Sequence, residues 1–169
     1  KFTTTNDLLV KNTSNSKSNY YYPNAIGVKT GYTGEAGNCL VSAARKDGME
    51  VIAVVLGAGF TDEGLSEKFL DSITLLDYAF DNYSVKTVQE KGSVLQEINV
   101  SGATKETENL KVEIKDNIEI FVENTVDIED LEPEVSLNKL TAPISAGTTI
   151  GTITYTIDDV TYSSELIAQ

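Results

Sequence analysis

Two apolar runs joined by a short polar turn are the feature that most constrains the fold of this sequence. Residues 38–44 (NCLVSAA) and 49–57 (MEVIAVVLG) flank Lys46-Asp47-Gly48. Asp-Gly favours the positive φ angles of a tight hairpin turn, so the runs are predicted to be antiparallel strands. Residues 51–57 are almost uniformly apolar, which predicts a strand covered on both faces.

A third strand is predicted upstream of the hairpin over residues 26–33, and an amphipathic helix downstream of it. Thr61 is the predicted N-cap, and Asp62 and Glu63 would lie near the positive end of the helix. The helix is predicted to end at Asp81-Asn82. Apolar residues at spacings of three and four predict a face packed against the sheet: Leu65, Phe69, Ile73, Leu76 and Phe80.

Short alternating segments replace this pattern after residue 82. Turn-forming residues separate them, and residues 123–133 form an acidic loop. Evenly spaced short strands are typical of a small β-sandwich or barrel, so we predict two domains, 1–82 and 83–169, and an α+β chain with an all-β sandwich as its second domain. The six predicted strands of that domain are 94–100, 110–114, 118–122, 134–137, 149–157 and 160–167.

Charge and residue usage exclude several kinds of chemistry. The 169-residue chain has a net charge of −13, and residues 83–169, with six Lys/Arg and 16 Asp/Glu, account for −10 of it. Such a surface repels phosphates, so no nucleic-acid partner is expected. Histidine is absent, which excludes a Ser-His-Asp triad and a His-ligated metal site within this sequence. Cys39, the single cysteine, is expected to be a packed, inert thiol. No apolar run is long enough to span a membrane.

The Lys29-Thr30-Gly31 triplet on the first predicted strand stands in a specific context. With TNDLL (5–9), GVKTGYTGEAGNCLVSAARKDGMEVIAVVLGA (27–58) and LLDYAFDNY (75–83), it resembles the C-terminal part of the catalytic domain of low-molecular-weight penicillin-binding proteins, the serine D-alanyl-D-alanine carboxypeptidases. KTVQEKGSVL (86–95) and KLTAPISAGTTIGTITY (139–155) resemble the β-rich second domain of the same family.

The resemblance implies a transpeptidase-like fold and an extracytoplasmic enzyme that removes the terminal D-Ala of peptidoglycan stem peptides through an acyl-enzyme. β-Lactams would acylate the serine that forms this acyl-enzyme. The resemblance implies neither a cofactor nor a metal. By resemblance Lys29 and Thr30 bind the substrate carboxylate, Gly31 lets the substrate backbone approach, and the Tyr32 N–H contributes to the oxyanion hole. Thr33 supports the polar face of the strand. Without the resemblance, each would be an ordinary residue of an edge strand or bulge.

Two further segments match motifs of the family in residue identity but not in their sequence context. Ser14-x-x-Lys17 lies in a polar loop, where its lysine could not be held in the desolvated place that an activated serine needs. Ser136-Leu137-Asn138 falls in the acidic second domain. We therefore expect the nucleophilic serine, its lysine base and the Ser-x-Asn loop to lie outside this chain, on a companion N-terminal segment, and the chain alone to be inactive.

Other readings stay open. Glu35 has the chemistry of a general base but is interpreted as a turn residue. Tyr20-Tyr21-Tyr22 could line a cleft, although partly buried packing with exposed hydroxyls is the commoner arrangement. For the whole chain, the alternatives are a non-catalytic cell-envelope interaction or spacer module and, less favoured, a β-lactamase relative. The apolar sheet face that a companion segment would cover should be exposed.

Overall fold

The computed structural model describes residues 3–11, 20–104 and 109–169. The chain divides into two compact units, residues 1–84 and 85–169. Antiparallel strands dominate both, and the described residues include one α-helix, which confirms the α+β prediction at this level.

The first unit is a three-stranded antiparallel sheet with a helix. The strands, in the order β1-β2-β3, are Ala25–Thr33 (β1), Gly37–Lys46 (β2) and Met49–Ala58 (β3). Asp47 and Gly48 have φ angles of 49° and 81°, as the predicted hairpin turn requires. The helix, Glu67–Asn82 (α1), packs on one face of the sheet. The buried cluster between them comprises Leu8, Tyr20, Tyr22, Leu40, Ala44, Ala53, Phe69 and Leu76.

The helix begins five residues later than predicted. Ser66 is the N-cap, and Thr61 instead closes a turn in which its carbonyl accepts from Gly64 N–H (2.8 Å) and its hydroxyl from Leu65 N–H (3.2 Å). Gly64 has a φ of 82°, which a helix cannot continue through. The N-cap prediction at Thr61 was therefore wrong, because a local turn competes for the same hydroxyl.

The prediction that β3 is covered on both faces was also wrong. Ala53 and Val55 face α1 and are buried. Their alternate neighbours Ile52, Val54 and Leu56 are 65%, 55% and 72% exposed, because the helix covers only one face. An uninterrupted apolar run thus gives one packed face and one apolar face open to solvent.

The second unit contains seven strands within the described residues, one more than predicted. The additional strand is Tyr83–Gln89 (β4), and the strands after it are Val94–Asn99 (β5), Asn109–Ile114 (β6), Ile118–Glu123 (β7), Glu134–Leu137 (β8), Thr149–Ile157 (β9) and Val160–Ala168 (β10). Strand β4 pairs with β7 in a two-stranded sheet, and a five-stranded sheet has the order β5-β6-β10-β9-β8.

Strand alternation builds the core of this unit. In β7, Ile118, Ile120 and Val122 are buried while the residues between them are exposed. These side chains join one buried cluster with residues of β6, β9 and β10. Lys86 of β4 donates to the carbonyls of Asn124 (3.3 Å) and Val126 (2.6 Å). Its ammonium therefore ties β4 to the start of the acidic loop.

Candidate functional site

The Lys-Thr-Gly triplet lies on β1, a strand at the edge of its sheet. Thr30 pairs with Leu40 of β2 and Gly31 with Cys39. Side chains alternate along a strand, so Lys29 and Gly31 are on one face while Thr30 and Tyr32 are on the other. The outer edge of β1 has no strand partner among the described residues. A peptide ligand could therefore lie along it by adding a strand.

Lys29 presents an exposed cation at this edge. Its Nζ donates to the carbonyl oxygen of Thr30 at 2.8 Å, which holds the ammonium next to the strand. A bound carboxylate would meet a positive charge there, in a protein whose overall charge is −13.

The Thr30 hydroxyl meets a second hydroxyl. Its Oγ1 lies 2.5 Å from Oγ1 of Thr5, which precedes the short 3-10 turn Asp7–Leu9. The motif-based predictions did not include Thr5 as a site residue. The available signal was Asn6-Asp7 before Leu8-Leu9, a capping pattern that predicts an ordered turn but not its position beside β1.

Gly31 is not required by the packing of this unit. Its φ lies outside the left-handed region, and a Cβ added to it would lie 3.9 Å from Cys39 Cβ, an ordinary van der Waals contact. Gly31 is also exposed, so the absence of a side chain leaves open space at the strand edge.

The end of β1 leads into a tight connection to β2. The Tyr32 side chain is 72% exposed, and the Thr33 hydroxyl accepts from the Ala36 backbone N–H at 3.0 Å. Thr33 thus holds the turn of residues 34–36, in which Glu35 is exposed. Cys39 is half-buried rather than buried, and its Sγ lies 3.5 Å from the Ala36 carbonyl oxygen.

Two of the three tyrosines, Tyr20 and Tyr22, pack against the helix instead of lining a cleft. The Tyr20 hydroxyl accepts from Ser66 N–H at 2.7 Å, and its ring stacks on Phe69 at 4.8 Å between centroids. The Tyr22 hydroxyl donates to Asp77 Oδ1 at 2.8 Å. Burial and the hydrogen bond to Asp77 raise the pKa of Tyr22. Both rings are buried, as the packing interpretation predicted, but their hydroxyls are bonded rather than exposed.

The Ser14-x-x-Lys17 and Ser136-Leu137-Asn138 matches lie, respectively, outside the described residues and in the second unit. Ser136 and Leu137 lie on β8, at an edge of the five-stranded sheet of the second unit.

Among the residues that the structure describes, α1 and the shorter helical turns lack the length and apolarity that a membrane crossing demands.

Comparison with known proteins identifies the families that the two parts of this chain match. Residues 1–59 match the D-alanyl-D-alanine carboxypeptidase family, and residues 83–168 match the penicillin-binding protein 5 C-terminal domain. The second match covers half of the sequence. The chain therefore belongs to the family defined by the penicillin-binding protein 5 C-terminal domain, and its first 59 residues match the D-alanyl-D-alanine carboxypeptidase family.

Individual relatives agree with this assignment. The chain is 31% identical over 134 residues to the D-alanyl-D-alanine carboxypeptidase DacF of Bacillus subtilis, covering 79% of this chain and 33% of that one. The crystal structure of the D-alanyl-D-alanine carboxypeptidase DacD from Francisella tularensis is 30% identical with a TM-score of 0.51, over 89% of this chain and 36% of DacD.

A peptidoglycan synthesis regulatory factor (PBP3) from Streptococcus pneumoniae shares the fold at 23% identity. Its TM-score is 0.68, over 99% of this chain and 47% of that one. The chain spans about a third of the length of the curated relatives it matches.

Proposed function

We propose that this chain supplies the Lys-Thr-Gly wall of a serine D-alanyl-D-alanine carboxypeptidase acting on peptidoglycan stem peptides. The observation that carries the proposal is Gly31: it is an exposed glycine on an edge strand, two residues after Lys29, and neither its backbone angles nor its neighbours require a glycine. The need for space beside a ligand backbone explains why position 31 is a glycine.

In this proposal Lys29 and Thr30 hold the terminal carboxylate of the substrate at the outer edge of β1, which their side chains flank from opposite faces of the sheet. The substrate backbone runs along the outer edge of β1 past Gly31, and the Tyr32 N–H stabilises the oxyanion. Thr33 acts indirectly, because its hydroxyl closes the turn that follows the strand. The nucleophilic serine attacks the carbonyl carbon before the terminal D-Ala, D-Ala leaves, and water then hydrolyses the acyl-enzyme.

The nucleophile, its lysine base and the Ser-x-Asn loop are assigned to a companion N-terminal segment. The exposed apolar side chains of Ile52, Val54 and Leu56 support this assignment, because such a face is normally covered in a folded enzyme. β-Lactams would acylate the companion's serine. We place the enzyme on the outer side of the cytoplasmic membrane, where peptidoglycan lies. The second unit is proposed to be a sandwich of its two sheets.

The test is acylation by benzylpenicillin of the gene product that contains this sequence, followed by intact-mass measurement and peptide mapping. We expect one penicilloyl adduct, on a serine outside residues 1–169. Lys29→Ala and Gly31→Ala should each lower the acylation rate about ten-fold or more, because one loses a charged contact and the other blocks the strand edge.

Lys46→Ala, at the exposed end of β2, is the matched control and should leave the rate unchanged. Thermal melting checks that Gly31→Ala remains folded. An adduct on Ser14, or full acylation rates in both site variants, would overturn the proposal. The absence of any adduct would favour the non-catalytic envelope module.

A further inference from the structure

The contact between Thr5 and Thr30 joins residues 25 positions apart in the sequence. Their hydroxyl oxygens are 2.5 Å apart, at the short end of the range for O–H···O hydrogen bonds. Thr5 is exposed and Thr30 is half-buried, so water could have formed hydrogen bonds with both hydroxyls. Their contact therefore depends on where the chain holds Thr5.

The segment around Thr5 is fixed by its own hydrogen bonds and by the core. Asn6 is 1% exposed, its N–H donates to Thr4 Oγ1 (3.1 Å), and its Oδ1 accepts from Leu8 N–H (3.1 Å). Leu8 is fully buried, and its carbonyl accepts from Tyr22 N–H at 3.0 Å. These contacts therefore hold the backbone around Thr5 in place beside β1.

The number of protons that each hydroxyl can donate determines the direction of the Thr5–Thr30 hydrogen bond once a ligand is present. A hydroxyl has one proton to donate, and a carboxylate can only accept. If Thr30 donates to a substrate carboxylate, it has no proton left for Thr5, so Thr5 must donate to Thr30. A hydroxyl that accepts one hydrogen bond is also a stronger donor in the next.

We propose that Thr5 is a positioning residue for carboxylate recognition: it donates to Thr30 and so directs the Thr30 proton toward the substrate. The inference rests on the proposed role of Thr30 in binding that carboxylate. It adds to the site a residue that lies outside the Lys-Thr-Gly motif.

The test is steady-state release of D-Ala from a synthetic peptide ending in D-Ala-D-Ala, using the gene product that contains this sequence. Thr5→Val keeps the shape of the side chain but removes the hydroxyl, and should raise KM about five-fold, with kcat changed less than about two-fold. Thr5→Ser retains the hydroxyl and should restore the original KM. In a Thr30→Val background, Thr5→Val should have no further effect.

The outcomes separate the two proposals. If Thr30→Val leaves KM unchanged, the proposed role of Thr30 fails. If Thr30→Val raises KM but Thr5→Val does not, or acts equally in both backgrounds, Thr5 has no positioning role. A drop in kcat together with the thermal midpoint in Thr5→Val, unrescued by serine, would show a purely structural role and overturn the inference.

Discussion

At the scale of single residues, glycine determines where two backbones can come together. A Cβ on Gly151 of β9 would lie 2.3 Å from the Ser136 carbonyl oxygen and 3.1 Å from Leu137 Cα, both on β8. These are backbone atoms, which cannot move aside as a flexible side chain could. Gly31 shows the opposite case, a glycine that packing does not need.

Gly151→Ala should therefore destabilise the second unit by roughly 1–3 kcal/mol, because β8 must move away from β9. Urea unfolding followed by circular dichroism measures the change. Thr152→Ala, at the next residue and with an exposed side chain, is the control and should cost much less. Equal losses in the two variants would mean that the close approach has no energetic importance.

At the scale of elements, two tyrosines determine how the helix is held. Tyr20 accepts from Ser66 N–H at the N-cap, and Tyr22 donates to Asp77 on the third turn of α1. The Ser66 side chain makes no capping hydrogen bond, so the Tyr20 hydroxyl is a tertiary contact at the start of the helix. Hydrogen bonds and core packing therefore act together on α1.

Tyr22→Phe should lower the stability of the first unit by about 1–2 kcal/mol near neutral pH, since it leaves Asp77 without this donor. Thermal or urea unfolding measures the loss. Tyr78→Phe, which changes a 59% exposed ring on the same helix, is the matched control.

The same contact predicts a pH dependence. Burial, the hydrogen bond to Asp77 and the charges of Asp77 and Asp81 raise the folded-state pKa of Tyr22 above its ordinary value of about 10. The unfolded chain thus loses the proton first, so the stabilisation is complete below about pH 10 and declines as the pH rises. Between about pH 10 and 11 the original chain should lose about 1 kcal/mol more than Tyr22→Phe. Parallel pH profiles would contradict this assignment.

At the scale of the whole molecule, each unit has its own buried core, and the first carries a run of exposed apolar side chains on one face of β3. Ile52, Val54 and Leu56 lie on the face of β3 opposite the helix. An open, apolar strand near a sheet edge favours self-association.

Ile52→Thr combined with Val54→Thr should reduce concentration-dependent self-association of the 169-residue chain, and should shift its thermal midpoint by only a few degrees. Threonine keeps the β-branched shape that suits a strand while removing apolar surface. Light scattering over a concentration series measures the association. Leu40→Thr, in the buried core, is the contrasting control and should cost about 2–5 kcal/mol. Unchanged association in the double variant would show that this face is not responsible.

The sequence by itself determined the β1–β3 strands, the Asp47-Gly48 hairpin, the helical stripe from Phe69 to Phe80 and the position of Lys29-Thr30-Gly31 on a strand. These depend on periodicity and turn chemistry within a few neighbouring residues. Leu65, which the predicted stripe also included, precedes the helix. The strand β4 was missed because its polar and apolar residues do not alternate cleanly; all but Thr87 are half-buried. The site residues Lys29 to Thr33 could be proposed from the motif, but their roles remain predictions.

Only the tertiary structure brought Thr5 to Thr30, Tyr22 to Asp77 and Gly151 against Ser136. The two hydroxyl contacts join residues 25 and 55 positions apart. It also decided where α1 begins and which face of β3 stays open. The physical reason is that each of these outcomes depends on which distant groups the folded chain places within bonding distance, and no local pattern encodes that distance.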